Sequence, residues 1–89
     1  MKNKIALESL ALDLKRGSVF LNRNSQFAAN QFLKEAVERK SEIDLKGLSS
    51  YIQKIILDLD KIIEEKNKSA KAENLLMYST IIQNYALTL

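Results

Sequence analysis

Four carboxylates lie close together in the segment LDLDKIIEEK, the densest group of side chains that could do chemistry. On a helix, Asp60 and Glu64 are four residues apart and share one face. Metal sites inside helical bundles typically combine such acids with histidines that project inward from several helices. The sequence has no histidine, and these acids lie opposite the apolar positions Ile55, Leu59 and Ile62. We therefore interpret them as a solvated helix face and predict no metal site.

The residue types that most often perform catalysis are missing from the sequence. It contains neither histidine nor cysteine, which removes the commonest general base, the commonest transition-metal ligand and any thiol nucleophile. Two isolated glycines, Gly17 and Gly47, cannot make a phosphate-binding loop. Lys46 and Gly47 suggest an anion site at a helix start, but a glycine tolerated in a first helical turn is the better interpretation. We predict no catalytic residues, no cofactor and no enzymatic activity.

Basic side chains concentrate near the N-terminus. Five basic and two acidic residues fall within the first 23 positions, so this region accounts for the whole formal net charge of +3. The candidate basic patch is Lys15, Arg16 and Arg23, preceded by Lys2 and Lys4. Proteins that bind nucleic-acid phosphates usually carry a larger excess on one face, and a helix-turn-helix reading of GLSSYIQKI would place core isoleucines on the reading face. A small basic nucleic-acid-binding regulator is therefore the alternative function.

The C-terminal stretch LLMYSTIIQNYALTL, residues 75–89, has no charged side chain. As a helix it would be roughly 22 Å long, short of the roughly 30 Å hydrocarbon core of a bilayer. It also contains five polar residues, so we predict no membrane span. Tyr78, Ile81, Tyr85 and Leu89 form the candidate protein interface, with the rim of the protein's own core as the alternative role for the tyrosines.

Four helical segments carry these candidates. With no proline and two glycines, the chain favours long helices joined by short polar connectors, and apolar residues recur at helical rather than strand spacing. The predicted helices are approximately 3–16, 25–43, 45–66 and 70–88, with the third and fourth as the hydrophobic spine. We expect Gly17 to end the first helix, the alternative being a helix that continues to Leu21. Asn3, Ser25, Asp44 and Ser69 are the predicted N-caps.

The sequence therefore predicts one all-α domain, residues 1–89, arranged as a mostly antiparallel bundle of about four helices. Acidic residues interrupt the apolar N-terminal run and no cleavage motif follows it, so we expect a cytoplasmic protein. The leading hypothesis is a non-enzymatic interaction or regulatory protein that self-associates or joins a larger assembly, because a small bundle cannot easily bury a fourth helix that is apolar or neutral nearly all round. An immunity-type or inhibitor-type helical bundle is a third hypothesis, based on size, basicity and helicity.

Overall fold

A computed structural model describes residues 2–89 and places them in four α-helices and one short 3-10 helix, with no strand in that range. The elements are α1 (Lys2–Asn22), α2 (Gln26–Ser41), a 3-10 helix (Leu45–Gly47), α3 (Ser50–Ile63) and α4 (Lys68–Ala86). This confirms the predicted all-α bundle.

The first helix does not stop at Gly17, and that prediction is wrong. The helix α1 continues to Asn22, and Gly17 is buried against α2. A β-carbon added at Gly17 would lie 2.8 Å from Cδ2 of Leu33. The glycine therefore permits a close approach of two helices instead of ending one. The chain turns later, at Asn24, which adopts a left-handed φ of 59°.

The third predicted helix is divided in two. The Asp44 side chain accepts a hydrogen bond from the backbone N–H of Lys46 and begins the 3-10 helix, whereas Ser49 accepts from the N–H of Ile52 and begins α3. At α4 the cap is Asn67, not Ser69, because the Asn67 side chain accepts from the N–H of Ala70. Each cap satisfies a backbone donor that has no partner within its helix.

The central helix of the bundle is α1. The sequence pattern had predicted the third and fourth helices as the hydrophobic spine, so that expectation is wrong. Helix α1 packs along both α2 and α4, and α3 packs mainly against α4. Its inward face carries four leucines that are almost completely buried: Leu7, Leu10, Leu14 and Leu21. The predicted apolar seam of α3 also faces inward, with Ile52, Ile55 and Leu59 buried.

Small residues hold α1 and α4 together as an antiparallel pair. The Ser18 hydroxyl donates to the backbone oxygen of Ala72 at 2.7 Å, and the Ser79 hydroxyl donates to that of Ala11, also at 2.7 Å. These two contacts are seven residues apart on each helix and run in opposite chain directions. All four side chains are buried, so the helices approach closely without leaving a polar group unpaired.

Candidate functional site

A shallow groove follows the contact between α1 and α4 on the surface of the bundle. Ala11 and Ser79 form its floor, because their short side chains do not fill the space between the helices. Leu12 and Leu76 form its sides, with 44% and 45% of their surface exposed. The groove has a volume of about 310 Å³. Its other lining residues are Lys15, Thr80, Gln83 and Asn84. We call these eight residues the α1/α4 groove.

Apart from Lys15, the described lining of the α1/α4 groove is uncharged. The side chains of Thr80, Gln83 and Asn84 can donate or accept hydrogen bonds without carrying charge. Depletion of charged side chains is typical of the centre of a surface that becomes buried against another protein. The arrangement is therefore suited to binding a surface with little net charge.

The candidate interface of α4 lies mostly elsewhere. Tyr78, Ile81 and Tyr85 are partly buried and pack against the hydrophobic core of their own chain. The Tyr85 hydroxyl accepts a hydrogen bond from the backbone N–H of Ser49 at 3.1 Å, where α3 begins. Leu89 is more exposed, at 38%. An intermolecular role for these residues stays a prediction, but the chain itself already covers much of this side of α4.

The surroundings of Tyr78 also place it beside α3. Its pKa is raised, chiefly by burial of the phenol and further by the negative charge of Asp58 and by Tyr51. Both of those residues belong to α3. The phenol of Tyr78 therefore stays protonated well above neutral pH.

The predicted basic patch is divided between two sides of α1, because neighbouring residues of an α-helix point about 100° apart. Arg16 and Arg23 lie on one side, around a pair of phenylalanines, and Lys15 lies in the α1/α4 groove on another side. The rings of Phe20 and Phe32 stack with centroids 5.5 Å apart and planes within 10° of parallel. The Arg16 guanidinium is 5.5 Å from the Phe32 centroid, and that of Arg23 is 5.9 Å from the Phe20 centroid.

This cation–π stack links α1 to α2 and holds two positive charges at the surface. Each exposed cation–π contact contributes about 0.5–1 kcal/mol. The spacing of Arg16, Phe20 and Arg23 places them on one helix face and could have been recognised in the sequence. The participation of Phe32 depends on how α1 and α2 pack, which the spacing does not reveal. The side chain of Lys2, which precedes the predicted basic patch, lies outside the described part of the structure.

Asp13 is a buried titratable group that the sequence pattern did not single out. It is 7% exposed, and its pKa is raised from 3.8 to about 6. Burial is the largest cause, followed by the negative charge of Glu35, and a hydrogen bond from the protonated Asp13 carboxyl to Glu35 raises the pKa further. Arg39 and Arg16 lower the pKa but do not outweigh these effects. The missed signal was an acidic residue between Leu10 and Leu14 on an otherwise apolar face.

The remaining acidic segment is consistent with a solvated face. Asp60 is exposed and forms an ion pair with Lys40 of α2 at 2.8 Å, which joins α3 to α2. On α2, Arg39 contacts the exposed carboxylate of Glu42 at 3.5 Å. Within residues 2–89, no three acidic side chains are grouped so that they could hold a metal ion.

No protein-family model, curated protein or solved structure matches this chain. None of the helices between residues 2 and 89 combines the length and the hydropathy needed to cross a membrane. The surface features of the chain itself are therefore the basis for a functional proposal.

Proposed function

We propose that this protein is a non-enzymatic interaction protein that associates with a second copy of itself through the α1/α4 groove. The observation that carries the proposal is the pair of half-exposed leucines, Leu12 and Leu76, on either side of a nearly uncharged groove. Burying such side chains against another surface removes apolar area from water, at roughly 25 cal/mol per Å².

The dimensions of the molecule support a second copy as the occupant. The bundle measures 36 × 19 × 19 Å. One long side of the bundle therefore has an area comparable to the ~800 Å² that each partner buries in an interface of standard size. A chain of 89 residues also has a single small core, so burial of a further apolar face adds stability that the monomer lacks.

Sedimentation velocity over about 1 to about 100 µM tests the proposal, because this range covers weak and moderate dimer affinities. We expect a concentration-dependent dimer. Leu12→Ser and Leu76→Ser should each shift it toward monomer, whereas Leu57→Ser should not. Leu57 is the matched control because it is an exposed leucine on α3, outside the groove. A monodisperse monomer at the highest concentration would refute self-association.

A nucleic-acid-binding regulator is the second candidate, and the Arg16–Phe32 and Arg23–Phe20 contacts favour it. These contacts hold two guanidinium groups at the surface beside aromatic rings, a combination used in binding single strands. The expected result is a mobility shift of short DNA or RNA that weakens steeply with salt and is lost in Arg16→Ala/Arg23→Ala. Lys54→Ala on α3 is the control. Unshifted DNA and RNA at low salt would exclude this candidate.

A further inference from the structure

The outer face of α1 carries an apolar stripe that the rest of the chain covers only in part. Ile5, Leu12 and Val19 follow one another at seven-residue intervals, so they share one helix face. Ile5 is 66% exposed, Leu12 is 44% exposed and Val19 is partly buried. The opposite face of α1 already contains the buried leucines, and α1 packs against α2 and α4. The stripe therefore has the spacing of a helix-pairing seam and lies on the surface.

We propose that the α1 helices of two copies pack antiparallel along this stripe, about a two-fold axis at Leu12. This inference rests on the proposed self-association and specifies its register. In such a pair, each residue before Leu12 meets the residue equally far after Leu12 in the second copy. Leu12 then meets its own equivalent, and Ile5 meets Val19 of the second copy, so the stripe is buried along its whole length.

The charges that flank the stripe complement themselves in this arrangement. Glu8 precedes Leu12 by four residues and Lys15 follows it by three, which places both on the same flank of the helix. The two-fold axis therefore brings Glu8 of each copy beside Lys15 of the other, forming two equivalent ion pairs. A parallel pair would place these residues of the two copies on opposite sides of the contact, so neither ion pair could form. Flanking charges of this kind set the orientation of paired helices.

The same axis brings the two α4 helices into the interface. Lys15 lines the α1/α4 groove, so α4 lies on the flank that carries the proposed ion pairs. The contact of Ser79 with Ala11 places Leu76 slightly beyond Leu12 along the bundle and Thr80 slightly before it. The two-fold axis therefore brings Leu76 of one copy beside Thr80 of the other. The half-exposed leucines of both helices are buried together.

Charge reversal tests this register. Glu8→Lys and Lys15→Glu should each weaken self-association by about fivefold to thirtyfold, because each replaces two attractive pairs with two repulsive ones. An equimolar mixture of the two variants restores both pairs in the mixed dimer. We expect its weight-average mass in sedimentation velocity to exceed that of either variant alone at the same total concentration. Glu38→Lys, an exposed reversal on α2, is the control and should leave association unchanged.

The possible results separate the register from the function. If the mixture associates no better than its components while Leu12→Ser and Leu76→Ser still dissociate the native dimer, the antiparallel register is wrong and self-association stands. If the native chain is monomeric at about 100 µM, both proposals fail. Recovery in the mixture that disappears at high salt supports the register, because exposed ion pairs are screened by salt.

Discussion

Asp13→Asn should stabilise the protein at neutral pH and have little effect in acid. The Asp13 carboxyl has a pKa of about 6 in the folded chain against 3.8 for its ordinary value, so the folded state binds a proton more tightly than the unfolded state does. Stability linked to Asp13 is therefore complete below about pH 3.8 and is lost as the pH rises toward 6. Asparagine carries no charge at any pH and keeps a hydrogen-bond donor for Glu35.

The magnitude follows from the size of the pKa shift. A difference of about two pKa units corresponds to roughly 3 kcal/mol once Asp13 is fully ionised. Partial solvent access to the carboxylate and adjustment of the nearby Arg39 and Arg16 side chains reduce this, so we expect about 1–3 kcal/mol. For a domain of 89 residues, each 1 kcal/mol corresponds to about 4–8 °C in Tm.

Urea unfolding followed by circular dichroism, at about pH 3.5 and about pH 8, measures the effect as a difference between native and variant chains. Comparing the two chains cancels the pH dependence of carboxylates that both share. Asp60→Asn is a suitable control because Asp60 is an exposed carboxylate in an ion pair with Lys40. An Asp13→Asn chain that is less stable than the native chain at pH 8, or equally shifted at both pH values, would show that burial does not disfavour the charge of Asp13.

Three further predictions concern how the helices pack. Gly17→Ala should lower the free energy of unfolding by about 1–2 kcal/mol in urea unfolding, because its methyl group meets Leu33, and should become stabilising in a Leu33→Ala background. Gly47→Ala is the contrast: nothing lies within 4 Å of an added methyl group and the φ of Gly47 is not positive, so we expect no loss, or a gain of up to about 1 kcal/mol. Ser79→Val should cost about 1–3 kcal/mol in the same assay by forcing α1 and α4 apart, and more than Ser79→Ala, which loses only the hydrogen bond. Asn3→Ala should lower the free energy of unfolding by about 1 kcal/mol and speed amide hydrogen exchange in the loop before the 3-10 helix. The Asn3 side-chain amide donates to the backbone oxygen of Asp44 and accepts from its N–H, and the variant loses both bonds. Equal exchange rates in the two chains would contradict this.

The spacing of apolar residues was sufficient to predict the number of α-helices and the inward face of α3. A buried helix face repeats every three to four residues, whatever the exact packing of its neighbours. The spacing was not sufficient at Gly17. The residue suits a helix end and a close helix contact equally well, and only the position of Leu33 on α2 decides between them. The caps differ for a similar reason. Asn67 and Ser69 both have suitable side chains for starting α4, and the geometry of the preceding turn selects Asn67.

The orientation of α4 was the hardest feature to predict, because the helix has no charged side chain from Leu75 onward and therefore no charged face to mark the side exposed to solvent. Its small residues contain the information instead. Ala72, Ser79 and Ala86 recur every seven residues and are all buried. The backbone oxygen of Ala72 accepts a hydrogen bond from Ser18 of α1, and the Ser79 hydroxyl donates one to the backbone oxygen of Ala11. The small side chains that allow this close approach do not fill the surface above Ser79, and the α1/α4 groove lies there. The packing that joins α1 to α4 thus also creates the surface proposed to join two copies, so a bulky residue at Ser79 should weaken both contacts together.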